Sequence, residues 1–369
     1  MNEMNEMKKV PSLYVASATR QSVGKTALCL GLALLFREEG LKVGYYKPVG
    51  WRTKTLKGQP IDEDTLLMKE TLKLEEPLEL LAPILLEYHY LDQYSPEDSP
   101  ELLKKVKDAY REVSEGKDIL IIESLHEPSL GESLNLSAAD LAKAFGSYLL
   151  LLSSTPQDIA VDEILFESSC ISGKVLGCCG VVFSRVREPI DRRIKERVIP
   201  AIERHGIRVW GVIPESTALT APTVGEVAET LGGEVLCGED FLSKPVENYL
   251  VGAMTPEAAL RYFRRAKRKA VVTGGDRPDI ALAALETDTS AVILTGNIHP
   301  DVRVLAKAEE KGVPIILVPY DTYTTVNKVR DITGKITVGD VKRINEAKRI
   351  AAEYVDWRGL LSMIGVKRT

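Results

Sequence analysis

The residues with the clearest chemical potential lie in one stretch, Ala18-Thr-Arg-Gln-Ser-Val-Gly-Lys-Thr26. It ends in Gly24-Lys25-Thr26, the ending of a phosphate-binding P-loop. Gly24 lets the backbone come close to a phosphate, and the amides of a following helix start point at the anion with the helix dipole behind them. Lys25 would place a point charge on the β- and γ-phosphates, and the Thr26 hydroxyl would hold Mg²⁺. Thr19 stands where a full P-loop has its first glycine, and Ser22 and Val23 complete the cradle. The plain alternative is a helix N-terminus that reads Gly-Lys-Thr by chance. The flanking apolar runs, Leu13-Tyr-Val-Ala-Ser17 and Ala27 to Phe36, supply the strand before and the helix after that the motif needs.

Three further positions could work with this loop. Lys47 precedes Pro48, which continues neither a ladder nor a helix easily, so Lys47 falls at the C-terminal edge of the strand Lys42-Val-Gly-Tyr-Tyr46. In open α/β sheets ligands bind at that edge. Asp62 and Asp64 open a helix over Thr65–Leu72, either as caps and dipole partners or as the hard oxygen ligands that Mg²⁺ prefers. Glu123 closes the apolar run Ile119-Leu-Ile-Ile122, either on the metal side of a P-loop or as an acid turning into a polar loop. His89, His126, His205 and His299 show no metal-binding spacing, although His126 follows Glu123 closely enough to reach the same place.

Composition narrows the class. The chain has 369 residues, enough for two or three domains. A net charge of −5 argues against nucleic acid or an acidic membrane as partner. No apolar run approaches the ~20 residues that span a bilayer, and the polar N-terminus is not that of a signal peptide. Five cysteines without a CxxC spacing suggest buried thiols in a reducing cytoplasm.

Strands alternate with helices throughout, which predicts an α/β fold with a mostly parallel sheet. After Lys117–Ile122 come strands at Tyr148–Leu152, Val175–Ser184 and Arg208–Ile213, the last closed by Pro214. The pattern restarts around Leu242–Val246, which places a domain boundary at 242/243. The second half holds three strand–loop–helix units and a C-terminal helix over Asp340–Tyr354. Its loops Gly274-Gly275-Asp276-Arg277 and Thr295-Gly296-Asn297 would meet at one sheet edge. There, backbone amides and the Arg277 guanidinium could hold a small anion, or the glycines could simply make turns.

Taken in order, these motifs resemble those of dethiobiotin synthetases. Residues 18–26 are similar to their Gly-Thr-Asp-Thr-x-Val-Gly-Lys-Thr loop, and Tyr46-Lys47-Pro48-Val49 resembles their Lys-Pro-Val segment. Asp64 before Thr-Leu-Leu resembles their metal aspartate, Glu123 the acid of their Val-Glu-Gly-Ala-Gly-Gly loop, and Gly211-Val-Ile-Pro214 their last strand before the adenine-side loop. The closer resemblance is to the dethiobiotin-synthetase-like N-terminal region of long phosphotransacetylases and its stand-alone versions, in which a DRTGG domain follows. Val246–Arg330, with Thr273-Gly-Gly-Asp-Arg277, looks like that domain.

The resemblance implies a P-loop NTPase domain over 1–242 and a smaller DRTGG-like α/β domain over 243–369. It implies ATP and Mg²⁺, with Lys25 and Lys47 acting on the phosphoryl group and Thr26, Asp64 and Glu123 on the metal, Asp62 in reserve. Ser184 and Pro214 would lie on the base side, and a cytoplasmic homodimer would be usual. Two departures bear on the reaction. Ser124-Leu-His-Glu-Pro-Ser-Leu130 replaces the Gly-Ala-Gly-Gly stretch near the substrate, and Ser184 replaces an adenine-reading Asn, whose paired amide contacts it cannot make. No phosphotransacetylase catalytic region falls within this length. Three readings follow: phosphoryl transfer from ATP to a carboxylate or carbamate, a sensor that binds nucleotide or a small anionic metabolite without turnover, and a scaffold with a degenerate P-loop.

Overall fold

The computed structural model describes residues 10–18, 24–56, 58–154, 158–172, 178–187, 191–330 and 332–366. The chain divides into two compact units, one of residues 1–216 with 336–369 and the other of residues 217–335.

The first unit is built on six strands: β1 Ser12–Ser17, β2 Val43–Tyr46, β3 Ile119–Glu123, β4 Tyr148–Ser153, β5 Cys178–Val186 and β6 Val209–Pro214. They pair in the order β6-β5-β4-β1-β3-β2, every pair parallel. Strands β1 and β3 are buried along their whole length, as their unbroken apolar runs require when helices cover both faces. The connection from β3 to β4 crosses β1, so the strand order switches there. Crevices at the carboxyl ends of the strands therefore flank β1. Helix α1, Lys25–Glu38, follows β1 after Gly24, whose φ of 82° suits a residue without Cβ. Helix α2, Glu63–Leu72, is capped by Asp62, whose side chain accepts from the Thr65 amide. The segment before it carries two antiparallel strands, Lys54–Leu56 and Gln59–Ile61. Beside these strands, Val49–Trp51 pairs in parallel with Ile84–Leu86.

The second unit carries strands β7 Glu234–Cys237, β8 Asn248–Val251, β9 Lys269–Gly274, β10 Thr289–Thr295 and β11 Ile315–Leu317. Their order is β7-β11-β10-β9-β8, with β7 antiparallel to β11 and the rest parallel. The three expected strand–loop–helix units are present, with helices Pro278–Leu285, Val302–Lys311 and Thr322–Arg330.

The boundary expected at 242/243 does not coincide with these units, for two packing reasons. The helix Val224–Leu231 buries Val224, Val227 and Leu231 in the apolar layer that contains Ala270, Val272, Ile293 and Ile316 of the second sheet. With β7 it therefore belongs to the second unit. The C-terminal helix, Val341–Tyr354, belongs instead to the first. It approaches α1 so closely that a Cβ on Gly31 would lie 2.5 Å from the Ala347 carbonyl oxygen and 2.7 Å from the Ala351 Cβ. The chain then bridges β6 antiparallel at Gly211 and Val355, and the Asp356 amide donates to the Trp210 carbonyl at 2.8 Å. Periodicity locates such a helix but not the partner that its small residues fit. Gly31→Ala is expected to destabilise the chain by about 1–3 kcal/mol in urea denaturation, despite the better helix propensity of Ala, because the backbones must separate.

Candidate functional site

The carboxyl ends of β1, β3 and β2 bring the sequence-selected residues into two adjoining clusters. Lys25 is the first residue of α1, 6% exposed, and its Nζ donates to the Ser17 hydroxyl at the end of β1 at 2.7 Å. Thr26 donates its hydroxyl to Glu123 Oε1 at 2.7 Å. Glu123 is the last residue of β3, in register with Val15, and is 1% exposed. Its other oxygen, Oε2, accepts from the Tyr45 hydroxyl at 2.9 Å. Tyr45 and Lys47 lie two residues apart across the end of β2. The ammonium of Lys47, 4% exposed, donates to Asp62 Oδ1 at 3.0 Å and Asp64 Oδ2 at 2.7 Å.

Asp62 is saturated. Its Oδ1 also accepts from the Thr65 amide and hydroxyl at 2.9 and 3.0 Å, and its Oδ2 accepts from the Trp51 amide at 2.9 Å. Asp62, expected as a reserve metal ligand, serves here as a helix cap and a counter-ion. Asp64, with 41% of its side chain exposed, meets Lys47 rather than the Thr26–Glu123 pair. Thr26 and Glu123 are the two expected metal residues that the fold joins directly. Both present oxygen, the donor Mg²⁺ takes. The residues fit that ion. Among the described residues no three His, Cys, Asp or Glu side chains gather to hold a metal alone.

Burial governs the ionisation of this cluster. It lowers Lys25 from 10.5 to about 8, with the Lys47 charge adding to the effect and Glu123 and Asp64 opposing it. It raises Glu123 from 4.5 to about 6 against the pull of Lys47, the Thr26 hydrogen bond and Lys25. Burial also works against the charge on Lys47, yet Asp64, Asp62 and Glu123 outweigh it and hold that ammonium above its ordinary value. His126 lies at the edge of the cluster, its ring 5.1 Å from that of Trp51. Partial burial and the Lys25 charge keep its imidazole below the usual range.

Thr19, Ser22 and Val23 lie outside the described residues. Ser184 and Pro214 stand at the same sheet edge on the other side of β1, on β5 and β6. The Ser184 hydroxyl is buried, 3.5 Å from the Ser153 carbonyl, and Pro214 is in register with Val186. In the second unit the loop groups expected to hold an anion are engaged with one another. The Gly275 amide donates to the Thr295 carbonyl, Gly296 to Tyr320 and Asn297 to Val318. The Arg277 amide donates to Gly274, and its guanidinium grips Asp279 at 2.9 and 3.0 Å. The Thr295 hydroxyl is 2.8 Å from that of Thr322, and Asp276 is exposed. A Cβ on Gly275 would fall 1.8 Å from the Ile298 carbonyl oxygen, so that glycine serves a close backbone crossing. As folded, these loop groups pair with one another.

Sequence reasoning missed Ser17 and Tyr45. Alternation offered a signal for Tyr45, since it shares a strand face with Lys47, but an aromatic in a buried strand reads as core.

Two stability tests follow. The folded-state value of Glu123 is raised, so its contribution is fully present below about 4.5 and is lost as pH rises through about 6. Glu123→Gln should therefore be more stable than the parent at pH 7 by about 1–2 kcal/mol in urea denaturation, with the difference vanishing near pH 4.5. Asp62→Ala strands a buried ammonium and removes a cap, and should cost about 3–5 kcal/mol, whereas Asp64→Ala should cost less than about 1 kcal/mol.

The chain is similar to several known proteins. Phosphate acetyltransferase of Pseudomonas putida is 26% identical over 379 residues, covering 96% of this chain and 52% of the relative. That of Nitratidesulfovibrio vulgaris is 27% identical, covering 94% and 50%. The chain thus spans about half the length of the curated relatives it matches. Among solved structures, the MinC:MinD cell division protein complex of Aquifex aeolicus is 15% identical, covers 57% of this chain and 84% of that one, and has a TM-score of 0.37. A DRTGG domain matches residues 226–332, inside the second unit. The AAA domain model matches residues 12–223, more than half of the chain, a span that includes Lys25, Lys47 and Glu123, and the chain belongs to that family.

Proposed function

We propose that the first unit binds ATP with Mg²⁺ and that the chain acts as a nucleotide-responsive regulatory module. The observation that carries this reading is the convergence of Lys25, Thr26, Lys47, Asp64 and Glu123 at the switch point of a parallel sheet. In it, Lys25 meets the β- and γ-phosphates, and Thr26 and Glu123 hold Mg²⁺ directly or through water, the ion neutralising phosphate charge. Lys47 is already held by Asp62 and Asp64, so a phosphate must draw it away from Asp64. Nucleotide binding then changes the contacts of α2, which is what a sensor needs. Ser184 and Pro214 flank the base. The resemblance to the dethiobiotin-synthetase-like region of phosphotransacetylases supports the same nucleotide site, a DRTGG domain that transmits or tunes the signal, and a cytoplasmic homodimer.

A second reading is phosphoryl transfer from ATP to a carboxylate or carbamate. The placing of two lysines beside one carboxylate cluster favours it, since both could stabilise charge on a transferring group. The loop after Glu123 weighs against it. The Ser124 hydroxyl donates to the neighbouring Leu125 carbonyl at 2.8 Å, a local bond rather than one aimed at a substrate.

ATP with Mg²⁺ should raise the melting temperature of the chain, and Lys25→Ala should remove the shift. At 100-fold excess over Kd the stabilisation is about 2.7 kcal/mol. Equal shifts in parent and variant would overturn the nucleotide site. Phosphate release over many turnovers, or a phosphorylated product, would favour the enzyme over the sensor.

A further inference from the structure

Beside the Lys47 cluster lies a groove that none of the residues discussed so far requires. One cavity of about 350 Å³ is bounded by Asp62 and Thr65 at the start of α2, by the apolar side chains of Ile61, Leu78 and Leu85, and by Lys105. A second, of about 610 Å³, is bounded by Trp51 and Tyr88. Arg52, Glu87 and Gln93 line both, so the two adjoin across these side chains. Each volume lies within the range of small-molecule sites.

The charges on the walls are unequally occupied. Asp62 is saturated by Lys47, Thr65 and Trp51. Glu87 accepts from Gln93 and lies 3.5 Å from Arg52. That single long contact leaves most of the guanidinium donors unused. Lys105 has no ion-pair partner among the described residues. Glu79 and Asp92, the remaining acids, are both exposed. Apolar surface inside, with two under-used cations at the edge, is complementary to an anion carrying a short apolar body.

The groove is fixed to the neighbouring cluster through the backbone. Val49–Trp51 runs so close over Asp62 that a Cβ on Gly50 would lie 3.0 Å from the Asp62 Cβ and 2.9 Å from a Leu85 methyl. The Trp51 ring packs edge-on against Tyr88 at 5.4 Å and against His126 at 5.1 Å, so an occupant moving Tyr88 changes the surroundings of Trp51.

We infer that this groove binds a small aliphatic carboxylate, with Arg52 and Lys105 on the carboxylate and the Ile61, Leu78 and Leu85 wall on the chain. The inference does not rest on the nucleotide reading, and its test contains no nucleotide. Hexanoate is titrated into the full chain by calorimetry and by tryptophan fluorescence, with hexylamine and 1-hexanol as charge controls. Hexanoate should bind saturably at one site per chain, at least about tenfold more tightly than either control. Arg52→Gln and Lys105→Gln should each weaken it about tenfold with the melting temperature unchanged, since both side chains are solvent-exposed. Trp51→Phe should remove the fluorescence response and leave the calorimetric one. Hexylamine or hexanol binding as well as hexanoate, hexanoate binding untouched by both glutamine variants, or the absence of saturation would each overturn the inference.

Discussion

A lysine ammonium buried at the end of a parallel strand makes heavy demands on its surroundings. Lys47 can stay charged there only with carboxylates in contact, because desolvating an unpaired ammonium costs several kcal/mol. Much of the first unit answers that demand. Asp62 supplies the buried partner while capping α2, Asp64 supplies the second from the first turn, and the Trp51 amide holds the remaining Asp62 oxygen. Gly50 is small because the strand must cross directly over Asp62. The two antiparallel strands, the short parallel pair and α2 are thereby tied to one ionic contact.

The Lys25–Glu123 side of the site shows the opposite balance. Burial moves both groups toward neutrality, and their neighbours only partly restore the charge. A fold does not gain stability from such an arrangement. Under the function proposed above, a polyanion and a divalent cation would supply the missing charges, and preoriented groups would then cost no reorganisation. The hydroxyls of Thr26, Ser17 and Tyr45 fix the geometry in the meantime.

The second unit uses similar loop residues to a different end. Its glycine-rich turns also sit at the carboxyl ends of parallel strands, yet their amides bond across from loop to loop. At Gly275 the backbone crosses so close to Ile298 that no Cβ fits. Similar residue types at a similar sheet edge therefore meet different partners in the two units.

The sequence by itself determined what local physics determines. Apolar runs and their periods located the strands and helices, since burial on one or both faces leaves a repeating trace. The Gly24-Lys25-Thr26 ending, Lys47 before Pro48, Asp62 at a helix start and Glu123 at a strand end were visible because each residue type has a positional meaning. Only the tertiary structure decided which of them touch. Asp62 and Asp64 read alike in the chain, but one is sealed between a helix start and a crossing strand while the other reaches solvent. Tyr45 read as core until the parallel register of β2 with β3 set its hydroxyl on Glu123. The division into units was likewise a matter of partners. The C-terminal helix joins the first unit because Gly31, more than 300 residues earlier, leaves space for Ala347 and Ala351, and no pattern along the chain records a fit between surfaces that far apart.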